Sequence, residues 1–240
     1  MDVDLIVPVH NQFEALERNI PRLYGYLKDA FPYRWKLVLV DHGSTDGGFW
    51  TARKLEERYP GILALQVALP GRGRALKKAS QGLGDVFCCL DAERLPADLE
   101  DITRLARLVA DDRCDIAAGC RQSPAIAWDG RFASGLFHLG LRLALNLPVS
   151  DAQCAFKALS RRVAVELVPL VQDEGWFFDT ELLAVAQARG CRIRQIGIAS
   201  VRAETGALEE PLPDLMRRIL DLRRRLRAAA PHSSGRGVTR

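Results

Sequence analysis

The sequence predicts an α/β fold with a mostly parallel central sheet flanked by helices, a Rossmann-like α/β/α sandwich. Short, wholly apolar runs rich in Val, Ile and Leu recur along the first half of the chain, as strands covered on both faces require. Stretches with apolar residues at helical spacing separate them, and a helix between strands implies a crossover to a parallel neighbour. Of the 240 residues, 48% are hydrophobic and 27% charged, the balance of a globular chain able to bury a sizeable core.

The elements follow in order. VDLIVPV (3–9) has no polar face and reads as a buried strand. A helix from about Gln12 to Lys28 follows, with Phe13, Leu16, Ile20, Leu23 and Leu27 near helical spacing. WKLVLVD (35–41) is the next strand, then a helix from about Gly47 to Arg58 and a strand ILALQVAL (62–69). A helix from about Arg74 to Gly82 leads to the strand DVFCCLD (85–91), and a helix from about Ala97 to Val109 leads to DIAAG (115–119). Beyond Pro213 the composition changes. Leu215, Met216, Ile219, Leu222 and Leu226 recur at helical spacing among Arg217, Arg218, Arg223, Arg224, Arg225 and Arg227. The organisation expected is a domain over 1–210, then a basic amphipathic helix and a disordered tail over 211–240.

Charge and composition narrow the classes. Residues 211–240 hold eight Arg and two Asp, a charge of +6, so the remaining residues carry −2 of the total of +4. A basic amphipathic helix suits an anionic membrane surface, and it equally suits packing on a domain with a solvated arginine face. No aromatic residue interleaves the arginines, which argues against nucleic acid. Apolar runs fall far short of the roughly 20 residues that span a bilayer, and MDVDLIVPVH lacks a basic leader region. The six cysteines show no C-x-x-C pair and several lie in apolar runs, as buried thiols of a reducing compartment do. A cytoplasmic protein, peripheral on the inner face of the membrane, is the expectation.

In an open α/β sheet, ligands bind beyond the carboxyl ends of the strands, where Asp41, Asp91 and Glu93 all fall. Loops after strands also use Asp to make turns and cap helices. Carboxylates gathered on one edge point instead to hard-ion chemistry. Mg²⁺ or Mn²⁺ binds through one or two carboxylates together with substrate phosphates, and the Asp91-Ala92-Glu93 triplet offers such a pair. DHGSTDGG (41–48) is a turn-rich loop entering a helix, and Arg72, Arg74, Lys77 and Lys78 follow another strand, placed to meet phosphate. A solvated helix face accounts for Lys77 and Lys78 equally well. GRGR lacks the third glycine of a dinucleotide fingerprint, and the P-loop pattern is absent.

The succession LIVPVHNQFEAL, VLVDHGSTDG, GRGRALKKA, GDVFCCLDAE, AAGCR, SDAQCAFKALSR and GWFFDTELLAVAQARG resembles the glycosyltransferase family 2 catalytic domain, in its polyprenyl (dolichyl) phosphate sugar transferase branch. The resemblance runs from about residue 3 to about 198. It implies a GT-A fold, a UDP- or GDP-sugar donor, a divalent Mg²⁺ or Mn²⁺, inverting transfer of a hexose, and a lipid-phosphate acceptor. By matching motifs it implies nucleotide contacts from Pro8, His10, Asp41, Arg72 and Asp91, and metal ligation by Asp91 and Glu93. Arg121 matches a phosphate-side arginine, and Arg131, Ser134, Gln153, Lys157 and Trp176 match acceptor-side positions. Asp179 is the base candidate if the acceptor is a hydroxyl; a phosphate acceptor is already anionic and needs none. For Phe177 and Phe178, packing at a helix start is favoured over a ligand role. The departures are His42 for a second Asp, Glu93 for Asp, Leu95 for Gln and Ala155 for Gly. They leave open a non-catalytic homologue that binds nucleotide-sugar or partners.

Overall fold

A computed structural model describes residues 1–82, 84–121, 144–198 and 212–229. The chain forms two compact units, Met1–Ala207 and Leu208–Arg240. The first is organised around a sheet of seven strands among the described residues: β1 (Asp2–Val9), β2 (Arg34–His42), β3 (Ile62–Val67), β4 (Val86–Cys89), β5 (Ile116–Arg121), β6 (Lys157–Ser160) and β7 (Ile193–Ile198). Helices α1 (Phe13–Asp29), α2 (Gly48–Arg58), α3 (Arg72–Ala79), α4 (Glu100–Ala110) and α5 (Phe178–Ala188) surround it.

The apolar strand runs are buried on both faces, as their composition requires. In β1 every residue from Val3 to Val9 is buried. Val3, Leu5, Val7 and Val9 share one core cluster with Leu16, Ile20 and Leu23 of α1 and Ile102 and Leu105 of α4. Alternate residues such as Ile6, Val38, Val40 and Phe87 are equally buried outside that cluster, on the other face, where α3 lies against β1 and β2. Each fully buried Leu or Ile side chain contributes roughly 1.5–3 kcal/mol, so this double covering fixes the sheet.

Strand order is β3-β2-β1-β4-β6-β5-β7. β1 runs parallel to both β2 and β4, with Val9 opposite Asp41 and Ile6 opposite Cys89. Their carboxyl ends therefore share one edge, and Leu90 continues the ladder by donating its N–H to the Ile6 carbonyl at 2.8 Å. β6 is antiparallel to β4 and β5. Lys157, its first residue, stands opposite Cys89, so an antiparallel strand delivers its beginning to the edge where the parallel strands end.

In the second unit α6 (Leu212–Ala229) carries Leu215, Ile219, Leu222 and Leu226 at helical spacing among arginines. Arg217 pairs with Asp214 and Arg224 with Asp221, each at 3.4 Å and one turn apart. Such exposed pairs contribute little to stability. Among the described residues, no helix is long and apolar enough to cross a membrane.

Candidate active site at the carboxyl edge of the sheet

The loops after β1 and β2 clasp each other. Asn11 takes a left-handed backbone with φ 52°, its N–H donates to Ser44 Oγ at 3.0 Å, and its Oδ1 accepts the Thr45 N–H at 2.8 Å. Asp46 accepts the Phe13 N–H at 3.0 Å and the Gly48 N–H at 2.8 Å, so it fixes the first turns of α1 and α2 together. The turn-rich sequence 41–48 is thus a rigid rim.

Behind this rim sits Asp41, fully buried at the end of β2. Its Oδ2 has only long contacts, to the Ser44 N–H at 3.4 Å and Gln66 Nε2 at 3.5 Å, and its buried Oδ1 has no partner. A buried acceptor without a donor costs on the order of 1–3 kcal/mol. A ligand N–H reaching Oδ1 would remove that cost. Pro8 is buried on β1 beside it, opposite Val40.

His10 and His42 stack in parallel, with ring centroids 5.1 Å apart and planes 5° apart. His10 Nδ1 lies 3.0 Å from the His42 carbonyl, which requires the proton on that nitrogen. His42 Nδ1 accepts the Gly71 N–H at 3.1 Å and so must stay unprotonated there. Burial, and then the neighbouring His10, hold the His42 pKa below its ordinary value. His42 therefore ties β2 to the start of α3.

That start is pressed against the segment before α5. Gly73 donates its N–H to the Glu174 carbonyl at 2.9 Å. A Cβ on Gly71, whose φ is +146°, would lie 2.4 Å from the Glu174 carbonyl oxygen, and one on Gly73 would lie 2.7 Å from Phe178 Cδ2. The glycines of GRGR serve this close approach of two backbones, not a dinucleotide loop. Lys77 and Lys78, at the other end of α3, fall in its last turn.

Arg72, between those glycines, reaches into the sheet edge. Its Nε donates to Asp179 Oδ2 at 2.9 Å and its Nη2 to the Ala155 carbonyl at 3.2 Å. Asp179 Oδ1 takes Lys157 Nζ at 3.0 Å, and Lys157 also donates to the Cys154 carbonyl. Lys157 and Asp179 are 1% and 3% exposed. Burial alone would raise the Asp179 pKa, but Lys157 and Arg72 outweigh it and hold the carboxylate below its usual range. Lys157 and Asp179, expected on the acceptor side and as a base, are partners of each other. Each oxygen of Asp179 is occupied by a cation, the opposite of what a proton acceptor needs.

Asp91 lies two residues beyond β4 with its side chain 12% exposed, and Glu93 is exposed. Asp91 Oδ1 accepts the Glu93 N–H at 2.9 Å, and Oδ2 is 3.7 Å from Arg94 Nη1. Asn19 of α1 holds the turn from below, donating to the Ala92 carbonyl at 2.7 Å. Leu95 is in the hydrophobic core and does not stand in for a polar ligand. Among the described residues no group of three or more His, Cys, Asp or Glu could hold a metal. The donor set is hard oxygen from a pair of carboxylates, which fits Mg²⁺ or Mn²⁺ completed by phosphate oxygens and water.

Of the other expected residues, Arg121 ends β5 on this edge, Gln153 is half-buried shortly before β6, and Trp176 is half-buried before α5, edge-on to Phe177 at 5.7 Å. Phe177 and Phe178 are buried, as packing residues. Arg131 and Ser134 lie outside the described residues. Glu181 was not anticipated. It is buried, and its oxygens accept the Gln172 and Asp173 N–H groups at 2.9 and 3.0 Å. The signal available for it was an acid on the apolar side of a helix.

Comparison with known proteins places this edge in context. The chain is 27% identical over 205 residues to glycosyltransferase AglD of Haloferax volcanii, a match covering 82% of this chain and 33% of AglD. It is 22% identical over 228 residues to the dolichyl-phosphate beta-glucosyltransferase of Saccharomyces cerevisiae, covering 82% of this chain and 66% of that enzyme. The chain thus spans a third of the first relative's length and just under two thirds of the second's. Its fold matches glucosyl-3-phosphoglycerate synthase from Mycobacterium tuberculosis, determined in complex with Mn²⁺, UDP and phosphoglyceric acid, with a TM-score of 0.68 at 17% identity over 97% of this chain and 80% of that one. It also matches residues 1–349 of TarS from S. aureus, with a TM-score of 0.62 at 17% identity over 96% and 66% of the two chains. The architecture is GT-A-like. The sequence model of glycosyl transferase family 2 matches residues 4–168, and the chain belongs to that family.

Proposed function

We propose that residues 1–210 are a GT-A catalytic domain that transfers a hexose, with inversion, from a UDP- or GDP-sugar to a polyprenyl phosphate. The observation that carries the donor half is the convergence of Asp41, Arg72 and Asp91 on one sheet edge, with Asp41 keeping a buried oxygen that has no partner. An imide or amide N–H of the base would donate to Asp41 Oδ1. Pro8 and His10 would line the same pocket. Asp91 and Glu93 would hold Mg²⁺ or Mn²⁺, an ion that offsets charge on the departing diphosphate. Arg72 supplies fixed positive charge beside Asp91 for the same purpose.

The acceptor half rests on chemistry and on relatives. Asp179 is buried and paired with two cations, which supports an anchoring role in preference to proton abstraction. An acceptor that brings its own negative oxygen requires no base, and a phosphate monoester does so at neutral pH. Names of relatives such as the yeast dolichyl-phosphate glucosyltransferase point the same way. Arg121, Gln153 and Trp176 are proposed on that side, and α6 would lie on the anionic surface that holds the lipid. The test is a transfer assay in which UDP- and GDP-hexoses are offered with a polyprenyl phosphate or with the matching polyprenol. Product with the phosphate alone is expected; product with the polyprenol alone would overturn the acceptor assignment.

A further inference from the structure

A buried lysine needs a reason. The Lys157 side chain is 0% exposed, and the penalty for taking an ammonium out of water is several kcal/mol. Its partner Asp179 is used twice, at 3.0 Å to Lys157 and at 2.9 Å to Arg72 Nε. The consequence falls on Arg72. Its guanidinium is held at two points, by Asp179 and by the Ala155 carbonyl, which leaves Nη1 without a partner among the described residues. Its backbone is held on both sides as well, through Gly71 to His42 and through Gly73 to Glu174. An arginine so constrained has lost most of its rotamer freedom before any ligand arrives.

We propose that Lys157 and Asp179 are positioning residues that fix Arg72 as a preorganised donor to the diphosphate of the nucleotide-sugar. The inference rests on the donor-site reading above and goes beyond it in assigning the buried pair a part in binding. Arg72, Lys157 and Asp179 sum to +1. Replacing Lys157 by Met and Asp179 by Asn together leaves that sum at +1, because only Arg72 remains charged. The double change therefore removes the positioning and keeps the net charge.

The experiment compares nucleoside diphosphate with monophosphate, by calorimetry in Mn²⁺, for whichever of UDP and GDP the wild type binds. In a folded Lys157→Met/Asp179→Asn protein the ratio of diphosphate to monophosphate affinity is expected to fall about tenfold, the loss of one well-placed charge-assisted hydrogen bond. Monophosphate affinity stays within about twofold, which a general loosening of the fold would not allow. Arg72→Lys, which keeps every charge and the buried pair but not the planar fork, serves if the double variant does not fold, and the same fall is expected. An unchanged ratio in a folded variant overturns the positioning role. A wild type that binds neither UDP nor GDP overturns the donor-site reading itself, a distinct outcome.

Discussion

Of the three Asp-x-Glu triplets in the protein, Asp91-Ala92-Glu93 after β4 and Asp179-Thr180-Glu181 at the start of α5 both lie near the carboxyl edge of the sheet, and the two have opposite fates. In the first, Asp91 is 12% exposed and Glu93 is in solvent. In the second both acids are buried and every carboxylate oxygen has a partner, Asp179 with Arg72 and Lys157, Glu181 with the Gln172 and Asp173 N–H groups. Geometry explains the difference. Residues two apart on an α-helix point about 200° from one another, so the α5 pair reaches in two directions and cannot share a ligand. A turn after a strand imposes no such divergence. The pattern alone says little; the element that carries it decides whether the acids serve the fold or face a substrate.

That contrast can be broken by substitution. The largest effect is expected at Asp179→Ala, which strands Lys157 in the interior: a loss of about 3–5 kcal/mol in denaturant unfolding, against a wild-type melt that stays cooperative. Since the folded carboxylate is held below its usual pKa, its contribution is full above the unfolded value near 4 and is lost as pH falls through the folded value. Acid unfolding of an Asp179→Asn variant should therefore show a shallower limb below about pH 4. Glu181→Gln comes next, at roughly 1–3 kcal/mol, because an amide N–H₂ replaces an acceptor facing a backbone N–H. His42→Gln should change the pH slope more than the stability. The buried histidine is held neutral, so the wild type is fully stabilised above about pH 6.5 and loses that contribution as pH falls below it, and the variant's slope from pH 7 to 5 is shallower by that contribution. Smallest of all, Asp91→Ala and Glu93→Ala should shift unfolding by no more than about 0.5 kcal/mol. A large loss there, or none at Asp179, would erase the distinction between the two pairs.

Much of the first unit was legible in sequence. The strands through β5 and the helices through α4 follow from apolar runs and helical spacing, and their bounds fall within a few residues of expectation. Placing Asp41 and Asp91 on one edge followed from parallel topology alone. β6 was not legible: KALS begins with a lysine, which reads as solvent-facing until Asp179, 22 residues on, is brought beside it. β7 was missed as well, since IRQIGI at the sheet's edge is mostly half-exposed and carries a weak apolar signal. Arg72 reads locally as a phosphate-binding cation and Lys157 by resemblance as acceptor-side; that the two share Asp179 is set by tertiary contact alone. The GRGR glycines had the same fate, because their partner is the backbone of Glu174.

The central claim is that the carboxylates ending β4 face a metal-bound diphosphate. It is tested most directly by calorimetric titration of UDP and GDP, with and without Mn²⁺, on the wild type and on Asp91→Asn. The account predicts metal-dependent binding of one nucleotide by the wild type and its loss in a variant that unfolds like the wild type. Binding that is indifferent to Mn²⁺ and to the Asp91 change would contradict it.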